Sequence, residues 1–133
     1  MIRKIEHIGV AVKDILEAEK MYTETLMLRA SSRESHGELR VAFFPVGDTT
    51  LELLQSTTPD GIIARYIREK GEGVHHIAFR VDDIRKALED LRSKGVEMID
   101  REPRAGARNA KIAFLDPKST NGLLIELVEP GEE

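Results

Sequence analysis

The sequence predicts an α+β fold in which one unit of strand, helix and further strands occurs twice within a single domain of residues 1–133. Three observations lead there. Glu6-His7-Ile8-Gly9-Val10-Ala11-Val12-Lys13-Asp14-Ile15 matches His75-His76-Ile77-Ala78-Phe79-Arg80-Val81-Asp82-Asp83-Ile84 position for position, so His7 and His76 are equivalent. Leu51-Glu52-Leu53-Leu54 and Ile125-Glu126-Leu127-Val128 are a second pair of like strands, each closing its half with one glutamate among aliphatics. An aspartate, Asp14 or Asp83, follows each opening strand and begins a helical pattern. The repeats span about 1–56 and 74–130, joined by a helical linker at 57–73.

In the opening strand, Ile8, Val10 and Val12 share one face while His7, Gly9 and Ala11 share the other; in the second copy Ile77, Phe79 and Val81 lie opposite His76, Ala78 and Arg80. Each histidine therefore stands among small neighbours, which leaves room for a ligand. Asp14 with Glu17 three residues on forms a capping-box pattern, and Asp83 is the equivalent cap. Ile84, Ala87, Leu88 and Leu91 make an apolar stripe, and Ile15, Ala18 and Tyr22 a looser one, so both helices are expected on the greasy strand face. Residues 39–44 and 50–54 read as a hairpin around Gly47-Asp48, repeated by 111–115 and 123–128 around Ser119-Thr120-Asn121-Gly122. In the linker, Thr58-Pro59-Asp60 starts a helix with Ile62, Ile63, Tyr66 and Ile67 inward, ending near Gly71 and Gly73. Pro130-Gly131-Glu132-Glu133 reads as a loose tail.

Composition narrows the function. With 133 residues the chain can bury a core without staples, and 41% apolar with 33% charged residues is ordinary for a globular protein. No apolar run approaches the ~20 residues of a membrane span, so no membrane association is expected. Met1-Ile2-Arg3-Lys4 leads into a strand with no signal-peptide pattern, which makes a cytoplasmic location the expectation. The net charge of −4 argues against nucleic acid as a partner. There is no cysteine, so any metal must use nitrogen and oxygen ligands.

A lone histidine on a strand is ordinarily structural, but His7 and His76 are equivalent, and Glu52 and Glu126 lie inside strands where an unpaired carboxylate costs several kcal/mol. Two imidazoles and two carboxylates are the ligand set of a divalent cation; salt bridges to Arg40, Arg80 or Lys111 are the alternative. His75 points away from the His76 face and is expected to be structural. Arg80, on the cavity face, can fork to a carboxylate or phosphate or form a plain surface ion pair. Pro103-Arg104-Ala105-Gly106-Ala107-Arg108-Asn109 reads as a flexible basic loop, to which Lys118 adds charge: a solvated cluster, or the holder of a phosphorylated ligand. No P-loop or dinucleotide fingerprint is present.

The opening His-Ile-Gly-Val-Ala-Val, the Leu-Glu-Leu-Leu strand, Gly-Glu-Gly-Val-His-His-Ile-Ala-Phe at 71–79, and Lys-Ile-Ala-Phe-Leu-Asp-Pro-Lys-Ser with Gly-Leu-Leu-Ile-Glu-Leu at 111–127 resemble the methylmalonyl-CoA epimerases, a branch of the vicinal oxygen chelate superfamily. The resemblance covers nearly the whole chain. It implies paired βαβββ modules forming a half-open, U-shaped mixed sheet with helices outside, and a homodimer. It also implies a divalent metal, Co2+ first and otherwise Mn2+, Ni2+ or Zn2+, held by His7, His76 and Glu126, with Glu52 at the fourth position. The implied reaction interconverts (2R)- and (2S)-methylmalonyl-CoA by taking the C2 proton and returning it, through a metal-stabilised enolate. Glu126 is the first candidate base. For the second, relatives use a glutamate from the strand equivalent to 39–44, where the groups here are Glu38 and Arg40; Glu52 can take that role through the internal repeat. Arg80, Arg104 and Lys118 are the candidates for holding the coenzyme, and Asp116 replaces a histidine that many relatives carry before Pro-Lys. Lactoylglutathione lyase shares the ligand set, although Leu26-Met27 stands where such lyases have Leu-Gly; a non-catalytic small-molecule-binding protein of the same fold is the reading outside enzymology.

Overall fold

The structure, a computed structural model, describes residues 1–131. It divides into two compact units, His7–His75 and Met1–Glu6 with His76–Glu133. The predicted α+β class and the doubled βαβββ order are both present, with a boundary that falls inside the first strand and inside the fifth rather than in the linker.

The first unit contains β1 (Ile2–Ala11) from His7 onward, α1 (Ile15–Lys20), β2 (Ser32–His36), β3 (Leu39–Val46), β4 (Thr49–Ser56) and α2 (Ile62–Lys70). Its strands run in the order β2-β3-β4-β1, antiparallel except for the parallel β4–β1 pair. Gly47 takes a φ of 61° in the two-residue turn that joins β3 to β4, a conformation open to glycine without a Cβ clash. Asp14 caps α1, accepting from the amides of Leu16 and Glu17 at 3.0 and 3.2 Å. Beyond α1 the chain widens into a π-helical turn, Met21–Thr25, and Met27 adopts a φ of 60°. One face packs Val12, Ile15, Ala42, Phe44 and Leu53 with Val10, Ala18 and Tyr22, as the apolar alternation predicts.

In the second unit β5 (Gly73–Val81), from His76 onward, leads to α3 (Ile84–Ser93), β6 (Arg104–Ala105), β7 (Lys111–Phe114) and β8 (Ile125–Glu129), in the order β5-β8-β7-β6. The pattern of β5–β8 parallel and β7–β8 antiparallel pairing repeats that of the first unit. Val81, Ile84, Ala87, Leu88, Ala113, Leu115 and Leu127 form its helix-side core. The repeat reaches the helix starts: Gln55 Oε1 accepts the Ile15 amide at 2.9 Å, and Glu129 Oε1 accepts that of Ile84 at 3.1 Å. Each acceptor stands three residues after its strand's glutamate.

Four expectations need correction. The segment read as a flexible loop at 103–109 contains β6, paired with β7, and a turn in which Arg108 and Asn109 take left-handed backbone. The last strand starts at Ile125, two residues later than expected. Ile62, expected inward, is 57% exposed, and α2 starts after Gly61 rather than at Thr58-Pro59-Asp60. The expected loose tail lies partly outside the described residues, at Glu132 and Glu133; Gly131 packs so closely that a Cβ there would come within 2.6 Å of the Asn109 carbonyl oxygen.

Candidate metal centre

On the face of β1 and β4 turned away from the helix-side core, His7 Nδ1 lies 3.0 Å from Glu52 Oε2. In the second unit His76 Nε2 lies 2.9 Å from Glu126 Oε1. All four residues are buried, with 5–7% of their surface exposed. Strand register explains the pairing, because Glu52 sits beside Gly9, two residues after His7, and Glu126 beside Ala78, two residues after His76. The small residue leaves the space into which each histidine and glutamate lean. On its other side each glutamate has a phenylalanine as cross-strand partner, Phe43 for Glu52 and Phe114 for Glu126.

A carboxylate this deeply buried is tolerated only with a partner, and an imidazole supplies one. His7, His76 and Glu126 carry donor atoms of the kind that hold a metal ion. The full set is nitrogen and oxygen with no thiolate, a chemistry that fits a first-row divalent cation. Of the cations weighed as alternative partners, Lys111 pairs with Glu129 at 3.7 Å, and Arg40 and Arg80 are exposed.

The other predicted residues have contacts of their own. Arg80 contributes to holding down the Asp82 carboxyl, after the Arg3 hydrogen bond. Arg104 Nε donates to Asp100 Oδ1 at 3.1 Å, and its guanidinium lies over the Phe114 ring, 5.5 Å from the centroid. Lys118 is exposed in a 3₁₀ turn, its amide bound to Asp116 Oδ1 at 2.9 Å. Glu38 lies in the turn before β3 and serves the start of α2: its Oε1 accepts from the Ile62 amide and from Ser56 Oγ, both at 3.3 Å. His75 meets the Tyr66 ring edge-on at 4.9 Å.

Sequence reasoning missed the two phenylalanines, although Val41-Ala42-Phe43-Phe44 and Ile112-Ala113-Phe114-Leu115 repeat each other and lead into the two glutamate strands. It also missed buried Glu19, whose Oε1 accepts from Arg33 Nε at 2.6 Å; this hydrogen bond raises the Arg33 pKa above its ordinary value.

Residues 6–114 match the sequence model of the Glyoxalase/Bleomycin resistance protein/Dioxygenase superfamily. The chain is 40% identical to the uncharacterized protein YqjC of Bacillus subtilis, over 97% of this chain and 94% of that one. It is 34% identical to the mitochondrial methylmalonyl-CoA epimerase of Homo sapiens, over 93% of this chain and 72% of that one. A solved methylmalonyl-CoA epimerase in complex with methylmalonyl-CoA and NH4+ superposes with a TM-score of 0.91 at 33% identity, covering 98% of this chain and 96% of the other.

Proposed function

We propose that this chain, which belongs to the Glyoxalase/Bleomycin resistance protein/Dioxygenase superfamily, is a metal-dependent epimerase that interconverts (2R)- and (2S)-methylmalonyl-CoA. The observation that carries the reading is the buried His–Glu pair repeated in each unit, in a chain similar to epimerases along nearly its whole length. In this reading His7, Glu52, His76 and Glu126 together hold one divalent ion, Co2+ by preference, with Mn2+, Ni2+ or Zn2+ accepted by the same donors. When bound, such an ion stabilises the negative charge that develops on the substrate's oxygens as the C2 proton leaves.

The chain's own residues move that proton. Glu126 directs Oε1 toward His76, and its second oxygen is assigned the C2 proton. Epimerisation requires the proton to return at the opposite face of C2, so a second base is needed. Glu52, the repeat counterpart of Glu126, and Glu38 are the candidates for that step; Glu38 Oε1 accepts from the Ile62 amide while its Oε2 is buried without a hydrogen-bond partner among the described residues. Arg80, Arg104 and Lys118 supply positive charge for the coenzyme's anionic groups. The protein acts on this small molecule as a cytoplasmic homodimer, with neither nucleic acid nor membrane as partner; among the described residues no helix is long and apolar enough to cross a membrane.

Proton NMR of methylmalonyl-CoA in deuterium oxide tests the reading. Protein loaded with Co2+ is expected to erase the C2 proton signal, and Glu126→Gln to slow the loss by roughly 10²- to 10⁴-fold. Absence of exchange, together with turnover of the methylglyoxal–glutathione adduct, would replace it with the lyase reading.

A further inference from the structure

Phe114 is held from three directions, and it in turn borders both metal-donor candidates of its unit. Its amide donates to Asp100 Oδ2 at 2.9 Å, while its carbonyl accepts from the amides of Ile99 at 2.9 Å and Asp100 at 3.2 Å. The other Asp100 oxygen holds Arg104 Nε at 3.1 Å, and the Arg104 guanidinium lies over the Phe114 ring. That ring meets the His76 imidazole edge to face, at 5.5 Å between centroids and 82° between planes. Along the ladder Phe114 is also the cross-strand partner of Glu126.

We propose that Asp100 and Arg104 are positioning residues that set the orientation of the His76 ring through Phe114. The Glu126 contact engages one ring nitrogen of His76 at 2.9 Å. An aromatic wall at 82° restrains the plane of the imidazole, provided the wall itself is fixed. In the first unit the equivalent Phe43 is fully buried. Phe114 is only half-buried, so its outer face must be covered, and the planar guanidinium of Arg104 covers it. An ordinary surface pair four residues apart has little effect. This pair differs because Asp100, with 17% of its side chain exposed, binds the Phe114 amide with the oxygen that Arg104 does not use.

The inference rests on His76 being a metal ligand, but its test needs neither substrate nor turnover. The imidazole resonances of His76 are recorded in the metal-free protein for wild type, Arg104→Gln, Arg104→Lys and Asp100→Asn, followed by titration of each with Co2+. Arg104→Gln, a change at a half-exposed side chain that leaves the fold in place, is expected to shift the His76 ring signals and to weaken Co2+ about tenfold. Arg104→Lys, which keeps a cation over the ring, is expected to recover part of both. His76 signals and Co2+ affinity unchanged in Arg104→Gln would overturn the proposal. If the wild type failed to bind Co2+ while its ring signals still responded to Arg104→Gln, the metal reading would fall and the positioning of His76 would stand.

Discussion

Among the described residues, His7, Glu19, Glu52, His76 and Glu126 are the polar side chains buried most deeply, and four of these five form the His–Glu pairs. Those four were legible because strand alternation assigns a side chain to a face from its position alone, and the small residues two places after each histidine mark that face as the roomy one. Glu19 was not legible: a glutamate on a helix reads as solvated, and its partner Arg33 lies on a strand with no apolar alternation to announce it. The phenylalanines beside the glutamates were not legible either, because an aromatic on a strand ordinarily means core. At the surface, Arg3 donates through Nε to Asp82 Oδ2 at 2.7 Å. This hydrogen bond lowers the Asp82 pKa from its usual 3.8 and raises that of Arg3 above its ordinary value. A depressed carboxyl stabilises the fold above its unfolded pKa and loses that effect as pH falls through its folded one; a raised guanidinium keeps its effect until far into alkali. Asp82→Asn is therefore expected to lower the unfolding temperature slightly at neutral pH and low salt, with the difference closing in acid below 3.8. A difference that persists in acid would assign the effect to packing.

The elements that sequence periodicity located are those with one clean apolar face, such as α3 and the His and Glu strands. Ser-Arg-Glu-Ser-His in β2 offers no such face, because this strand stands at the end of its unit's order and is specified by its ladder to β3. Two-residue β6 is specified in the same way by β7. The start of α2 was misplaced because its caps come from elsewhere in the chain: Ser56 Oγ accepts from the amides of Ile63 and Ala64 at 3.0 and 3.1 Å, and Glu38 accepts from that of Ile62. A search for a capping residue immediately before the helix has no access to side chains contributed by β4 and the β2–β3 turn. Gly61 fits the same arrangement, since a Cβ there would come within 2.4 Å of both Glu38 Oε2 and Ser56 Oγ and would displace these side chains. Removing the hydroxyl in Ser56→Ala leaves two helix amides without their acceptor and is expected to cost about 1 kcal/mol, seen as a lower urea midpoint at unchanged slope. An unaltered midpoint would mean that water replaces the hydroxyl without loss.

At the scale of the molecule, the doubled sequence gives each unit the same local solution: a parallel pair of strands, a helix on one face, and on the other a histidine and a glutamate brought together beside a small residue. The repeat was readable from the sequence, and Met1–Glu6, which lies in the first repeat, belongs to the same compact unit as the residues from His76 onward. Neither His–Glu pair alone offers more than two donors, and two donors hold a first-row ion weakly. The proposed function therefore requires both pairs to serve one ion. Titrating the metal-free protein with Co2+ while following visible absorption and C2-proton exchange of methylmalonyl-CoA tests this most directly. Both signals should rise together and saturate at one ion per chain, and His7→Ala and His76→Ala should each abolish both. Saturation at two ions, or full exchange in His7→Ala, would contradict a shared centre.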